Sequence, residues 1–166
     1  MKRKTLKYII LASLLSSLTA ALTMLHIVNL PNGGYLHLGD LFVYLAGCLL
    51  PAPYAMAAAA VGGGLADLLG GAPLWLPATI LVKASIAALF SAKGSKLLVR
   101  RNALMTLPAA AITVGGYFLA EWLLFSWPAA LASLPVNLLQ AAGSAALFFV
   151  AAAAMDRAGL KRRVLP

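Results

Sequence analysis

The chain passes through six apolar segments, at roughly 8–30, 38–50, 54–69, 74–92, 104–127 and 131–155, and almost no charge falls inside them. A helix needs about 20 residues to cross about 30 Å of hydrocarbon. The first, fourth, fifth and sixth segments reach or approach that length. Segments two and three are short, and the "PAP" at 51–53 separates them, because proline ends or kinks a helix. Hydrophobic residues are 63% of the 166 and charged residues only 10%. Folded in water, a chain of this size has no interior large enough for that much apolar surface, so the bilayer is the expected solvent. The expectation is an all-α integral membrane protein, a single membrane domain over 1–166 built as a six-transmembrane-helix bundle. A re-entrant hairpin of segments two and three is the alternative.

The net charge of +9 would suit a nucleic-acid binder, but its placement argues for topology instead. Twelve of the thirteen Lys and Arg lie in three clusters: Lys2, Arg3, Lys4 and Lys7; Lys93, Lys96, Arg100 and Arg101; Arg157, Lys161, Arg162 and Arg163. Positive charge marks cytoplasmic loops. Six crossings then place both termini and the loop at 93–103 in the cytoplasm. The loops near 31–39, 70–76 and 127–135 face outward, and none carries Lys or Arg. The start "MKRKTLKYIILASLLSSLTAAL" is read as a retained first span rather than a signal peptide, since more membrane follows it. A multi-pass protein of a prokaryotic cell membrane, with no nucleic-acid partner, is expected.

Ionisable groups within membrane spans are costly, so each calls for a partner or a function. Asp40 opens segment two, Asp67 and Glu121 lie toward the outer ends of segments three and five, and Lys83 is inside segment four. Asn137 and Gln140 share a face of segment six, and Tyr117 shares one with Glu121. All fall in the outward half of the bilayer, which suggests a pocket open to the outside. Asp67 with Lys83 is the expected structural ion pair, and Glu121 with Gln140 a possible internal hydrogen bond. If Asp67 and Lys83 neutralise each other, Asp40 and Glu121 leave the pocket acidic. Trp75, Trp122 and Trp127 add aromatic surface near the boundary, where an interfacial belt is the plain alternative. An acidic, aromatic-lined site suits a neutral or cationic heteroaromatic ring better than a phosphorylated anion.

Between segments one and two lies "PNGGYLHLGD". Gly33, Gly34 and Gly39 allow sharp turns, and Asn32, Tyr35, His37 and Asp40 offer stacking and hydrogen bonding. A polar outer loop acting as a lid is the expectation; an ordinary turn with Asp40 as helix cap is the alternative. In segment one Ala12, Ser16 and Ala20 recur every fourth residue, a spacing that permits close helix approach either within the bundle or to another protein. "VGGG" at 61–64 permits the same in segment three. The single cysteine, Cys48, is expected to be a buried structural thiol. No nucleophile elbow, H-E-x-x-H or P-loop occurs, so no catalytic residue, metal or cofactor is assigned.

The stretches "NGGYLHLGDLFVYLAGCLLP", "GGGLADLLGGAPLWLPATILVKA", "GGYFLAEWLLF" and "LPVNLLQAAGSAAL" together resemble the substrate-binding S component of energy-coupling factor (ECF) transporters. The resemblance implies a six-helix bundle that captures a vitamin or vitamin precursor from outside. It also implies a complex with a transmembrane coupling subunit and two cytoplasmic ATPases, and release of substrate by toppling in the membrane. The implied substrate residues are Asn32, Tyr35, His37, Asp40, Trp75, Lys83, Tyr117, Glu121, Asn137 and Gln140. Ala12, Ser16 and Ala20 would dock on the coupling subunit. The chain is most similar to short members linked to hydroxymethylpyrimidine, thiamine-like or pyridoxine-like substrates. Two other classes fit the hydropathy: a membrane scaffold of the rod-shape-protein type and a solitary gradient-driven carrier. A scaffold has no need to concentrate polar groups in one half, and a carrier of that kind is expected to show paired broken helices.

Overall fold

A computed structural model describes the backbone of residues 3–25, 28–29 and 35–164 and the side chains of 4–25 and 37–163. Nearly all of this is helix. In chain order come α1 (Arg3–Met24), a two-residue antiparallel pair of β1 (Val28–Asn29) and β2 (Tyr35–Leu36), α2 (Asp40–Leu49), α3 (Ala52–Leu69), a 3-10 turn (Pro73–Trp75), α4 (Leu76–Leu89), α5 (Arg100–Leu104), α6 (Thr106–Leu124), α7 (Trp127–Arg157) and α8 (Leu160–Val164). Four helical stretches are long and apolar enough to cross a membrane, those beginning at Lys4, Ala52, Arg100 and Trp127; α2 and α4 are shorter apolar helices.

The helix bounds depart from the hydropathy at both ends of the chain. The first apolar run continues to residue 30, but α1 stops at Met24, and Val28–Asn29 pairs with Tyr35–Leu36 instead. Hydropathy does not distinguish these states, and the β-branched valine suits an extended backbone. At the other end, 127–135 was expected to be a loop, yet α7 starts at Trp127 and runs through Pro135. The Ser126 hydroxyl accepts a hydrogen bond from the Ala129 amide at 3.3 Å, and Pro128 sits in the first turn, where its missing N–H costs nothing. Pro51 likewise sits at the N-cap of α3 and gives the sharp turn after α2.

The packing is that of a chain whose outside is lipid. Leu69, Leu81, Leu107, Leu123 and Val150 are each about two-thirds or more exposed, while Lys83, Glu121 and Asn102 are almost wholly enclosed. With ten residues, α2 is about 15 Å long; it is buried along most of its length, between α1, α3, α4 and α7. Tyr44 of α2 stacks on Phe90 at 4.9 Å between ring centres, and Phe148 of α7 meets both edge-on. Cys48 is buried in this core, free of any disulfide.

Close approach of α1 and α4 to α3 depends on glycine. A Cβ on Gly62 would lie 2.6 Å from the Ser16 carbonyl oxygen, and one on Gly63 would lie 2.4 Å from Cδ of Lys83. Ser16 and Ala20 are buried in the bundle, Ser16 against α3 at Gly62, and Ser16 also borders the groove in which Ala12 lies. Ala12 is half-buried and lines an open groove between α1 and α3 with Ile9, Ser13, Tyr54, Ala57 and Val61.

The segment from Phe90 to Val99 is pinned from below. Asn102 accepts from the Ser91 amide at 3.0 Å and donates to the carbonyls of Ser91 and Leu97. Both Asp156 oxygens accept backbone amides, from Leu97 at 2.7 Å and Leu98 at 2.9 Å.

Candidate substrate site

The intramembrane polar residues converge at the end of the bundle opposite this pinned segment. Lys83 leaves α4 at its eighth residue, crosses the bare face of α3 at Gly63, and places its ammonium 2.5 Å from Asp40 Oδ1. The second Asp40 oxygen accepts from Gln140 Nε2 at 2.9 Å. Gln140 Oε1 in turn accepts the His37 backbone N–H at 2.9 Å, and its amide nitrogen lies 3.1 Å from His37 Nδ1. His37 Nε2 is 3.5 Å from the Lys83 ammonium. Four residues from the loop, α2, α4 and α7 thus form one closed network. Buried charge is tolerated where it is both paired and hydrogen-bonded, as here.

Lys83 is therefore paired with Asp40, not with Asp67 as the sequence suggested. Asp40 is the first residue of α2, preceded by Gly39 at the N-cap, and its carboxylate is directed to Lys83 and Gln140 rather than capping its own helix. Gly39 has φ of −63°, an ordinary helical value, so its contribution is space: a Cβ there would meet Thr23 of α1 and the Thr19 carbonyl at 2.9 Å.

In front of the network lies a small cavity lined by Thr23, His37, Asp67, Trp75, Thr79, Lys83, Tyr117, Glu121, Asn137 and Gln140. It leaves about 40 Å³ for the centres of water molecules. Seven of the ten residues expected to contact substrate line it: His37, Trp75, Lys83, Tyr117, Glu121, Asn137 and Gln140. Asp40 stands behind, held by Lys83 and Gln140. Asn32 lies outside the described residues, and of Tyr35 only the backbone is described. Glu121 meets Asn137, whose Nδ2 is 3.5 Å from Glu121 Oε1, whereas Gln140 is committed to Asp40 and His37. Trp75 is 5% exposed and packs edge-on against Tyr117 at 6.1 Å, so it belongs to the cavity wall. Trp122 and Trp127 are half exposed and touch each other on the outside, as belt residues do. Thr23 and Thr79 were missed: threonine inside an apolar run carries no alarm. Thr79 accepts from the Tyr117 hydroxyl at 3.4 Å. No group of His, Cys, Asp and Glu among the described residues has the makings of a metal site.

The family model described as "ECF-type riboflavin transporter, S component" matches residues 3–157, which takes in α1 to α7 and every residue of the network and the substrate cavity. The chain belongs to this family. As an S component it is a membrane protein and a transport subunit, not an enzyme, and its family works in vitamin capture for ECF transporters, beside a coupling subunit and ATPases. Membership removes the rod-shape scaffold and the solitary carrier from consideration. No curated protein sequence matches the chain.

Proposed function

We propose that this S component captures a neutral or cationic nitrogen heterocycle of the vitamin class, of the riboflavin type that its family description names. The observation that carries the reading is the charge balance of the cavity. Asp40 neutralises the cation Lys83 from behind, while Asp67 and Glu121 line the space beside Asn137 and two aromatic rings. That surface favours a planar ring with donors along its edge and disfavours a phosphate ester. The exchange of Asp67 for Asp40 in the ion pair leaves this balance unchanged. The small volume favours a second reading, a ligand smaller than a fused three-ring system, such as hydroxymethylpyrimidine, thiamine or pyridoxine. A larger ring system enters only if the His37 loop lifts from Gln140, which makes that loop the lid.

Mass spectrometry of small molecules released from the purified protein tests the reading, followed by calorimetry with riboflavin, thiamine, hydroxymethylpyrimidine, pyridoxine and their phosphates. Riboflavin or one of these smaller compounds is expected to bind tightly and its phosphate weakly. Tight binding of a phosphorylated form would overturn the charge reasoning.

For topology the proposal is six crossings of a cell membrane, with the basic end in the cytoplasm. A cysteine at exposed Lys96, in a Cys48→Ala background, is expected to react only with reagent supplied from inside. The coupling subunit would seat on the α1–α3 groove near Ala12, over two cytoplasmic ATPases. Ala12→Trp fills that groove and is expected to abolish assembly while vitamin binding persists; unchanged assembly would move the docking face elsewhere.

A further inference from the structure

The basic end holds a cavity of about 350 Å³, against about 40 Å³ in the substrate site. Its wall includes Tyr8 of α1, Leu49 and Pro51 at the α2–α3 turn, Ser95 of the pinned segment, and Lys161 and Arg162 of α8. Lys161 is 5% exposed, and its amine is enclosed with no hydrogen-bonding partner among the described residues. Asp156, the acid close enough to act on it, already holds the amides of Leu97 and Leu98 with both oxygens. Arg162 lies beside it at the surface, its guanidinium 3.4 Å from the Ser95 hydroxyl. A buried amine without a partner is costly, and here it sits in the wall of a cavity with a second cation and a hydroxyl. Among the described residues, this end holds every Lys and Arg except Lys83 but only one of the four acids, Asp156.

We propose that this cavity binds the phosphate of an anionic membrane lipid. Lys161 and Arg162 supply the positive charge, and the Ser95 hydroxyl can donate to a phosphate oxygen. Phosphate takes several charge-assisted hydrogen bonds at once, which suits this set better than a single carboxylate does. The lipid, rather than a soluble phosphate, is favoured by the surroundings. Tyr8 packs against Tyr54 with ring centres 5.4 Å apart, and Tyr54 lines the apolar α1–α3 groove that begins at Ile9. A headgroup site thus adjoins a groove that an acyl chain can occupy while the coupling subunit is absent, as an amphiphile requires. The inference rests on the membrane setting of the chain and is independent of which vitamin it captures.

Native mass spectrometry of the full chain in detergent, titrated with phosphatidylglycerol, phosphatidylcholine or inorganic phosphate, tests it. Wild type is expected to retain phosphatidylglycerol in preference to phosphatidylcholine. Lys161→Gln and Arg162→Gln are each expected to weaken phosphatidylglycerol binding about tenfold, the loss of one charge-assisted bond, with vitamin binding unchanged. Lys93→Gln, at an exposed basic residue outside the cavity, is expected to have little effect. If Lys161→Gln fails to fold, Lys161→Arg and Arg162→Gln carry the comparison, the first retaining the lipid. Equal retention of both lipids, or equal losses at Lys93 and Lys161, would reduce the site to diffuse attraction and overturn the proposal. Displacement of the lipid by millimolar phosphate with the same dependence on Lys161 would reassign the site to a soluble anion. Unchanged lipid binding together with loss of the coupling subunit in Lys161→Gln would reassign it to a protein partner.

Discussion

Lys83 and Lys161 are both buried, at opposite ends of the bundle, and the chain treats them differently. Around Lys83, 1% exposed, it builds a carboxylate at 2.5 Å and ties that carboxylate to α7 and the loop through Gln140. Around Lys161, 5% exposed, it builds no hydrogen bond among the described residues. Depth explains the contrast. Hydrocarbon offers no water to relax around an ammonium, so its partner has to be encoded in the sequence. At the membrane surface water and headgroups are close, and a lysine can be left to the surroundings. The paired lysine is part of the framework that shapes the substrate cavity; the unpaired one is available to a ligand.

The largest expected effect tests the paired end. Asp40→Asn leaves the Lys83 charge buried without its carboxylate and is expected to cost about 3–5 kcal/mol, read as a lower unfolding temperature in detergent. Lys83→Met added to Asp40→Asn is expected to restore much of that loss. If Asp40→Asn alone unfolds like wild type, the pair is not what holds this end, and the contrast between the two lysines fails.

Next comes the charge within the same end that the network leaves facing the cavity. Glu121→Gln is expected to weaken vitamin binding by about 1.5–3 kcal/mol, roughly ten- to a hundredfold or somewhat more in dissociation constant, with little change in stability. Calorimetry on a folded variant decides it, and an unchanged affinity would remove Glu121 from the site.

A smaller effect comes from the space Lys83 needs. Gly63→Val sets carbon where the Lys83 stem lies, and is expected to cost about 1–3 kcal/mol by overpacking. Gly143→Ala, where a Cβ meets nothing within 4 Å, is the control. It is expected to be neutral or to stabilise the helix by about 0.5–1 kcal/mol. Equal effects at the two glycines would mean that the path of Lys83 across α3 is not tight.

The smallest effect is expected at the unpaired lysine. Lys161→Met removes no hydrogen bond and is expected to leave thermal stability unchanged or slightly raised. Burial lowers the proton affinity of this amine against the opposing pull of Cys48 and Asp156. The unfolded chain therefore binds the proton more readily, and stability rises as pH climbs from the folded value toward the ordinary lysine value of about 10.4. That rise is expected in wild type and absent from Lys161→Met in paired melts across alkaline pH. A Lys161→Met variant as damaged as Asp40→Asn would erase the distinction.

The sequence singled out the residues that line the cavity better than it indicated how they pair. Asp40, Asp67, Lys83 and Glu121 stood out because charge in an apolar run is costly wherever it points. Lys83 lies nearer in sequence to Asp67 than to Asp40, yet pairs with Asp40 43 residues away. Which carboxylate it meets depends on helix rotation and on the room left by Gly63, and neither is written in hydropathy. Threonine hid Thr23 and Thr79 for the opposite reason, since an uncharged hydroxyl in an apolar run passes as apolar. The small-residue repeat was legible as close packing, but not its partner: Ser16 meets α3 at Gly62, and Ala12 and Ser16 both border the open α1–α3 groove. The expected loop at 127–135 is helix instead, with Pro135 inside it, because a lone proline is tolerated within an otherwise continuous membrane helix.

The run Gly62, Gly63 and Gly64 leaves α3 without side chains over nearly one turn. Successive residues point about 100° apart around a helix of 3.6 residues per turn, so three bare positions strip most of a circumference. Through the first, α3 touches the Ser16 carbonyl; through the second, the Lys83 stem; through the third, Leu76 and Ile80 of α4. Between the α1 backbone and the aliphatic stem of Lys83 there remains little more than a naked helical backbone of Cα radius about 2.3 Å. Side chains ordinarily cushion one helix from the next. Here that upholstery is missing, so a sub-ångström displacement of α1 has no soft layer in which to dissipate before it reaches the lysine.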